Sequence, residues 1–363
     1  MKFVDLHAQY EQYKDEIDHS IQAVIDSTSF INGSEVQAME DDLASFCGVE
    51  HVLACSSGTD ALLIALKALG LGAGDEVLVP DFSYIASASM ISFAGGTPVF
   101  VDVEPDTCNI DVGAVEQAIN EHTRGIVAVS LFGQCPDMDG LKAIAEKHGL
   151  WLLEDGAQSF GATYKHNRSC SITEVSTTSF FPAKPLGCYG DGGAIFTNDT
   201  KLAEAMRMFL NHGQEKRYHH AMIGINGRMD TIQAAVVRVK LRHFQKELEM
   251  RERIAQRYSQ NLDGYVQVPV IREYNTSSWA QYTIQSPKRE EIREHLQSLS
   301  IPTAVHYPLP LHQQKAFGLG DTALSYPVSE GLSQRVVSLP MHPFLCEDEI
   351  DTICEAVKEA VDG

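Results

Sequence analysis

The chain has 363 residues, 44% of them hydrophobic, which suits a large domain with a smaller one better than a single typical domain. Its 28 basic and 49 acidic side chains leave a net charge of −21 with no local basic stripe, which argues against nucleic acid and anionic membranes as partners. An anionic small molecule stays open, because a pocket needs only a few well-placed cations.

The N-terminal MKFVDLHAQYEQYKDEIDHS has no apolar signal region, and no apolar run is long enough to span a bilayer, so a cytoplasmic protein is expected. From about residue 50 to about residue 200, short apolar runs alternate with amphipathic stretches. HVLACSSGT, DEVLVP, TPVFVDV, RGIVAVS, LWLLED, VSTTSFF and GGAIFTN read as strands. Helices are expected over Asp60–Leu69, Ser83–Phe93, Val112–Asn120 and Asp139–His148. This alternation predicts a mostly parallel α/β sheet with both faces covered. From Met229 to about Tyr258 the chain lacks glycine and proline and reads as one long helix. Beyond Asn261 the texture changes. Valine-rich YVQVPVI and SWAQYTIQSP alternate with helices at Arg289–Leu299 and Glu347–Val361, as in a smaller α+β domain that the N-terminal helix would complete. The expected division is 1–30 for an N-terminal segment packing with the small domain, 31–245 for the large domain and 246–363 for the small one. Eight scattered cysteines without a C-x-x-C pair read as reduced, mostly buried thiols. His219–His220 is the best metal candidate, but no cysteine or carboxylate sits at ligand spacing around it, so no metal is expected.

In open parallel sheets ligands sit beyond the C-terminal strand ends, so the residues following each strand carry the chemistry. SSGTDALLIAL follows the first strand and opens a helix. Gly58 permits close approach, and Thr59 at the helix N-terminus suits a phosphate; Thr59 or Asp60 as a plain N-cap gives the same pattern. VPDFSYIASASM offers Phe82 and Tyr84, either as core or as a plate for a flat ring. LWLLEDGAQSFGA ends a buried strand on Glu154 and Asp155, with Gln158 one turn further. A carboxylate there needs a cationic or hydrogen-bonding partner, which a turn N-cap or a protonated ring nitrogen would equally provide. SFFPAKPLGCYGDGGAIFT places Lys184 before Pro185 on a shaped loop. Gly187, Gly190, Gly192 and Gly193 there are expected to take backbone conformations other residues resist. Ser179 lies close by.

Each signal has a bland reading. Together they form a phosphate cradle, a ring-nitrogen partner, an aromatic plate and a lysine, all at strand ends. Pyridoxal phosphate (PLP) needs that combination: the lysine amine reacts with its aldehyde, and an acid keeps its ring nitrogen protonated. Lys184, once displaced by a substrate amine, is free to move a proton.

With FVDL, SSGTDAL, EDGAQSFGA, SFFPAKPLGCYGDGGA, GINGRMDTIQAA and TAVHYPLPLH, the chain resembles, nearly end to end, the DegT/DnrJ/EryC1/StrS sugar aminotransferases of PLP fold type I. The resemblance implies a seven-stranded, mostly parallel sheet plus a smaller α+β domain. It implies amino transfer from an amino acid, usually glutamate, to a keto group on a nucleotide-linked sugar. By position Lys184 matches the Schiff-base lysine, Asp155 the pyridine partner and Gln158 the group near the ring hydroxyl. Gly58, Thr59 and Ser179 match the phosphate contacts and Tyr84 the stacking aromatic. Asn226 would reach the phosphate of the neighbouring subunit in a homodimer with shared sites, and Arg228, His306 and Tyr307 would face substrate. Some relatives are dehydratases with histidine at the lysine position, and Lys184 argues against that branch.

Many members read H-S-x-K or N-x-x-K and G-Y-N-Y-R-M where this chain has Phe181-Pro182-Ala183-Lys184 and Gly224-Ile225-Asn226-Gly227-Arg228-Met229. The wording is most similar to the branch acting on a UDP-linked 3-keto uronic acid for bacterial surface polysaccharide. Two alternatives stay open: the same chemistry on a 4-keto deoxysugar or cyclitol ketone, and a non-catalytic ligand sensor that keeps the fold.

Overall fold

All seven apolar runs between His51 and Thr197 become strands of one sheet. The structure, a computed structural model of the chain, describes residues 1–318 and 324–363. Strands β1 (His51–Cys55), β2 (Glu76–Pro80), β3 (Thr97–Val101), β4 (Thr123–Val129), β5 (Trp151–Asp155), β6 (Val175–Ser179) and β7 (Gly193–Thr197) lie in the order β1-β7-β6-β5-β4-β2-β3. Only β7 runs against its neighbours; the other six point the same way. The residues that follow those six strands therefore meet along one edge.

Side chains alternate across the sheet with period two. Leu53, Val79, Val127, Leu153 and Ile195 pack under α3 (Gly58–Ala68) and α4 (Ala86–Ala94). Leu78, Ile126, Ala128 and Leu152 face α5 (Val112–Ala118) and α6 (Met138–His148) instead. Both faces are covered, as the continuous apolar strands require. Gly125 in β4 leaves room for its neighbour: a Cβ there would stand 2.1 Å from the Trp151 ring.

Helix α8 (Thr231–Leu262) is the spine of the molecule. Its first half buries Ala234, Val237 and Phe244 against the sheet domain. Its second half carries Ile254, Ala255, Tyr258 and Leu262 into a separate core. The division expected at 245/246 thus falls inside a continuous helix. The second core is completed by an antiparallel pair, β8 (Tyr282–Gln285) and β9 (Val336–Leu339), with α9 (Arg289–Ser298) and α11 (Glu347–Asp362). In the valine-rich run only Gln267 pairs, with Gln285, because Pro269 has no N–H for a ladder. The N-terminal helix α1 (Leu6–Ser27) lies along α8. Tyr13 stacks on His243 at 4.2 Å between centroids, and Gln9 Nε2 donates to both Glu247 oxygens at 2.9 and 3.1 Å. The carbonyl of Phe3 accepts from the N–H of Met341, tying the same segment to the small core.

Seven of the eight cysteines are buried, Cys346 is exposed, and all are free thiols. His219 and His220 form one arm of a short exposed hairpin with Gln214–Lys216. Among the described residues no group of three or more His, Cys, Asp or Glu is arranged to hold a metal, and no helix is long and apolar enough to cross a membrane.

Candidate active site

The phosphate cradle is built where β1 turns into α3. The helix cap is Ser57, not Thr59 or Asp60: Ser57 Oγ accepts from the N–H of Asp60 at 3.0 Å and its carbonyl from the N–H of Ala61. The N–H groups of Gly58 and Thr59 precede the first helical hydrogen bond and are the ones a helix N-terminus offers to an anion. Gly58 presses against Ser179 at the end of β6, since a Cβ on it would come 2.6 Å from Ser179 Cβ. Gly58, Thr59 and Ser179 therefore do meet.

Parity decides between the two carboxylates that end β5. Asp155 shares the face of Leu153, under α3 and α4; Ser87 Oγ, in the first turn of α4, donates to its Oδ2 at 2.7 Å. Glu154 faces the other way and is fully buried, accepting from the hydroxyls of Ser130 and Ser169 and from the N–H of Cys170 at 2.7–2.8 Å. Only Asp155 is turned toward the pocket. Among the described residues its oxygens accept only from Ser87 and, at 3.2 Å, from the N–H of Ala157, so a cationic partner has acceptor capacity to use.

Lys184 sits in a turn closed by its own N–H donating to the carbonyl of Phe181 at 2.8 Å. Burial pushes its pKa down, against the pull of the Asp155 charge. The glycines of this loop play another part than expected. None of Gly187, Gly190, Gly192 and Gly193 has positive φ; they are there for space. A Cβ on Gly187 would lie 2.6 Å from the Pro182 carbonyl oxygen, and one on Gly193 would lie 2.5 Å from the Ser57 carbonyl carbon. From below, Lys240 Nζ donates to the Gly187 carbonyl at 2.7 Å.

Gln158 Oε1 accepts from the N–H of Phe132 at 2.9 Å, and its Nε2 donates to the Tyr307 hydroxyl at 3.0 Å. Tyr307 also approaches Phe82 and Tyr84, with ring centroids at 6.1 and 6.3 Å. Phe82 is core, while Tyr84 is 57% exposed and has a face free to meet a flat ring. The helix expected from Ser83 begins at Ala86, which leaves Tyr84 in the preceding turn. His306 Nδ1 pairs with Ser338 Oγ at 2.8 Å; burial, helped by the Lys184 charge, lowers its pKa to about 4. It is neutral at pH 7.

Asn226 and Arg228 lie in the strand-like lead-in to α8, which begins at Thr231. Gly227 between them accepts from the N–H of Ser56, beside the cradle. Arg228 Nη1 donates to Asn211 Oδ1 at 2.6 Å, while its Nε is buried without a partner among the described residues. Asn226 is exposed, and neither side chain bonds to Lys184, Asp155 or Gln158. A crevice lined partly by Phe132, Val270, Trp279 and Gln281 borders none of these groups.

Sequence reasoning missed Ser87 and the Gln158–Tyr307 bond. Ser87 was legible as the residue one helical turn after Ser83, on the strand-end side of α4. The Tyr307 contact spans 149 residues and carries no local signal. The residues present fit PLP: paired N–H groups for its phosphate, a buried carboxylate for its ring nitrogen, an aromatic face and a desolvated amine.

Comparison with known proteins agrees. Residues 11–358 match the model of the DegT/DnrJ/EryC1/StrS aminotransferase family. The chain is 47% identical over 358 residues to the UDP-2-acetamido-2-deoxy-3-oxo-D-glucuronate aminotransferase of Pseudomonas aeruginosa, covering 98% of this chain and 99% of that one. It is 39% identical over 361 residues to the UDP-N-acetyl-3-dehydro-α-D-glucosamine 3-aminotransferase of Acidithiobacillus ferrooxidans, covering 99% and 98%. A Brucella abortus aminotransferase of this family superposes with a TM-score of 0.96 at 42% identity over 99% of each chain. A Bacillus subtilis protein solved with its cofactor PMP bound gives 0.93 at 28% identity, covering 100% of this chain and 85% of that one. The chain belongs to the DegT/DnrJ/EryC1/StrS aminotransferase family and is a PLP-dependent aminotransferase.

Proposed function

We propose that this aminotransferase moves an amino group from glutamate to the 3-keto group of a UDP-linked N-acetylated hexuronic acid, in the making of a bacterial surface polysaccharide, and that it works as a homodimer with shared sites. The observation that carries the substrate is the end-to-end 47% identity with a relative named for that keto-uronate. Arg228 adds a chemical reason: among the described residues the Nε of its partly buried guanidinium has no partner, and a planar fork suits a carboxylate, whether of glutamate or of a uronic sugar. The dimer is supported by exposed apolar side chains on the loops beside the site: Phe30, Ile31, Phe181 and Ile223, the last 93% exposed.

Bound PLP supplies an electrophilic aldehyde and a ring that accepts the electrons of a broken C–H bond. The protein does the rest. The N–H groups of Gly58 and Thr59 and the Ser179 hydroxyl would hold the phosphate. Asp155, fixed by Ser87, would hold the proton on the ring nitrogen. Gln158 and Tyr84 would hold the ring. Lys184 Nζ, its pKa lowered by burial, would be the amine that meets the aldehyde and the base that moves the substrate's α-proton.

The test is to load the enzyme with the amine form of the cofactor and offer a panel of keto-sugar nucleotides, with and without the carboxylate. Return of the aldehyde absorbance with the UDP-3-keto uronate supports the proposal. A faster return with a 4-keto deoxysugar nucleotide or a cyclitol ketone sinks it. For the shared site, inactive Lys184→Ala subunits are mixed with inactive Asn226→Ala/Arg228→Ala subunits. Recovery of activity after verified subunit exchange supports sharing, and none means that each chain builds its own site.

A further inference from the structure

The chain crosses between its two cores at Ile301–Leu311. Ile301 is buried in the small core and Leu311 in the core of the sheet domain. His306 and Tyr307 lie midway. At the near end the crossing is tied to β9, where the backbones of Ala304 and Ser338 exchange hydrogen bonds at 2.8 and 3.2 Å. At the far end it is tied to Asp81. The Asp81 carbonyl accepts from the N–H of Leu311 at 2.8 Å. Asp81 Oδ1 accepts from the N–H of His312, and its Oδ2 pairs with His312 Nδ1, both at 2.7 Å.

Both partners are out of water, Asp81 fully and His312 at 7% exposure. A buried acid–histidine pair is weak evidence for stability, because desolvating both groups costs about as much as their attraction returns; fixing one geometry is the better-supported role. The position of this pair says which geometry. Asp81 follows β2 directly and stands three residues before Tyr84. His312 stands five residues after Tyr307. The pair therefore joins the two chain segments whose aromatic rings meet at the pocket, where Tyr307 reaches Gln158, Phe82 and Tyr84. The surroundings add to the clamp. Glu330 Oε1 lies 3.6 Å from His312 Nε2, and Asp102 takes the N–H groups of Val328 and Ser329 at the start of α10 (Pro327–Arg335).

We propose that Asp81 and His312 are positioning residues of the cofactor pocket: their paired hydrogen bonds set where Tyr307 meets Gln158 and Tyr84, and so hold the wall that the C-terminal half of the chain contributes. This rests on reading the Lys184 pocket as the PLP site. It assigns no contact with the cofactor to either residue.

The test uses the full-length protein with and without cofactor. Asp81→Ala and His312→Leu break the Nδ1 bond, whereas His312→Asn keeps a donor near the Nδ1 position. In the apoprotein, amide hydrogen exchange over residues 303–312 should quicken about tenfold in the first two variants, as expected for a lost buried hydrogen bond, and return toward wild type in His312→Asn. In the holoprotein the same two variants should raise the PLP dissociation constant about tenfold and change the circular dichroism of the bound cofactor. Unchanged exchange overturns the proposal. So does faster exchange with cofactor affinity and dichroism within twofold of wild type, since the pair would then be structural only. If His312→Leu does not fold, Asp81→Ala against His312→Asn gives the same contrast. Borohydride mapping of the wild type separates the two readings: a pyridoxyl label away from Lys184 refutes the pocket itself, whatever the clamp variants do.

Discussion

The pocket is built by two regions with opposite sequence logic. One runs from Ser57 to Lys184 and reaches the site through strand ends, each bringing its chemistry in chain order. The other is the crossing segment Ile301–His312, which arrives from the small core and is held by residues 149 and 231 positions away, at Gln158 and Asp81. In the first region the sheet does the positioning, and a side chain's role follows from which strand it ends and which face its parity selects. In the second nothing local positions the segment, and its side chains are placed only by their partners. Substitutions in the first should therefore abolish chemistry on an intact scaffold. Those in the second should loosen the pocket by degrees.

The largest effect belongs to Lys184 in the first region. Lys184→Ala removes both the amine that meets the aldehyde and the base, so glutamate half-transamination should fall by about 10⁴-fold. Borohydride reduction of the wild type should place the pyridoxyl group on Lys184. A label on any other lysine would end the assignment.

Asp155 and Glu154 test the parity argument within a single dipeptide. Asp155→Asn keeps the shape and the Ser87 contact but removes the charge that favours a protonated ring nitrogen; the half-reaction should slow by about 100-fold with PLP still bound. Glu154→Gln should instead lower thermal stability with little effect on the rate, because its carboxylate serves Ser130, Ser169 and Cys170 on the far face. Equal rate losses in the two variants would mean that strand parity does not divide their roles.

This contrast also explains what was legible in the sequence. Period-two and strand–helix patterns carry local information, so all seven strands of the sheet, the long helix and the cradle–acid–lysine order were readable. Boundaries shifted where a local device intervened. Ser57 rather than Thr59 caps α3, and Pro269 keeps the valine-rich run from becoming a full strand. The loop glycines read in the sequence as conformational devices, whereas their crowding against the Pro182 and Ser57 backbones is a tertiary fact. Tyr307 and Gln158 are each legible through the family resemblance, but their pairing is not. Asp81 and His312 carry no local signal, because an aspartate after a strand and a histidine in a loop look ordinary until they are brought together.

The crossing segment and its anchor strand should also set the acid limit of folding. Burial lowers the pKa of His306 to about 4; burial, helped by Arg251, does the same to His342, which lies just beyond β9. Between pH 6.5 and 4 the unfolded chain binds protons at these histidines and the folded chain does not. Stability is thus fully present above pH 6.5 and is lost as pH falls toward 4, by about 1.4 kcal/mol per pH unit for each histidine. Urea titrations from pH 7 to 4 should show this slope, and His342→Phe should remove one histidine's share of it. An unaltered slope in that variant would place the acid sensitivity elsewhere.

The smallest expected effect sharpens the comparison most, because it lies where the two regions touch. Gln158 belongs to the first by chain position, and its Oε1 is already committed to the N–H of Phe132; its Nε2 has the Tyr307 hydroxyl as partner. Tyr307→Phe leaves that buried N–H without an acceptor, which costs about 1–3 kcal/mol where no water replaces it. Some of that cost appears as lost cofactor affinity, and a rise of about fivefold in the PLP dissociation constant is expected, on the scale of 1.4 kcal/mol per tenfold. Gln158→Ala removes the donor and the Phe132 contact together and should weaken PLP more. In the Gln158→Ala background, Tyr307→Phe should add almost nothing, because the two side chains act through one bond. A double mutant cycle on the PLP dissociation constant reads that coupling directly. Additive losses would mean that Tyr307 works through its ring contacts with Phe82 and Tyr84, and that the crossing segment is held at the pocket by packing rather than by the amide.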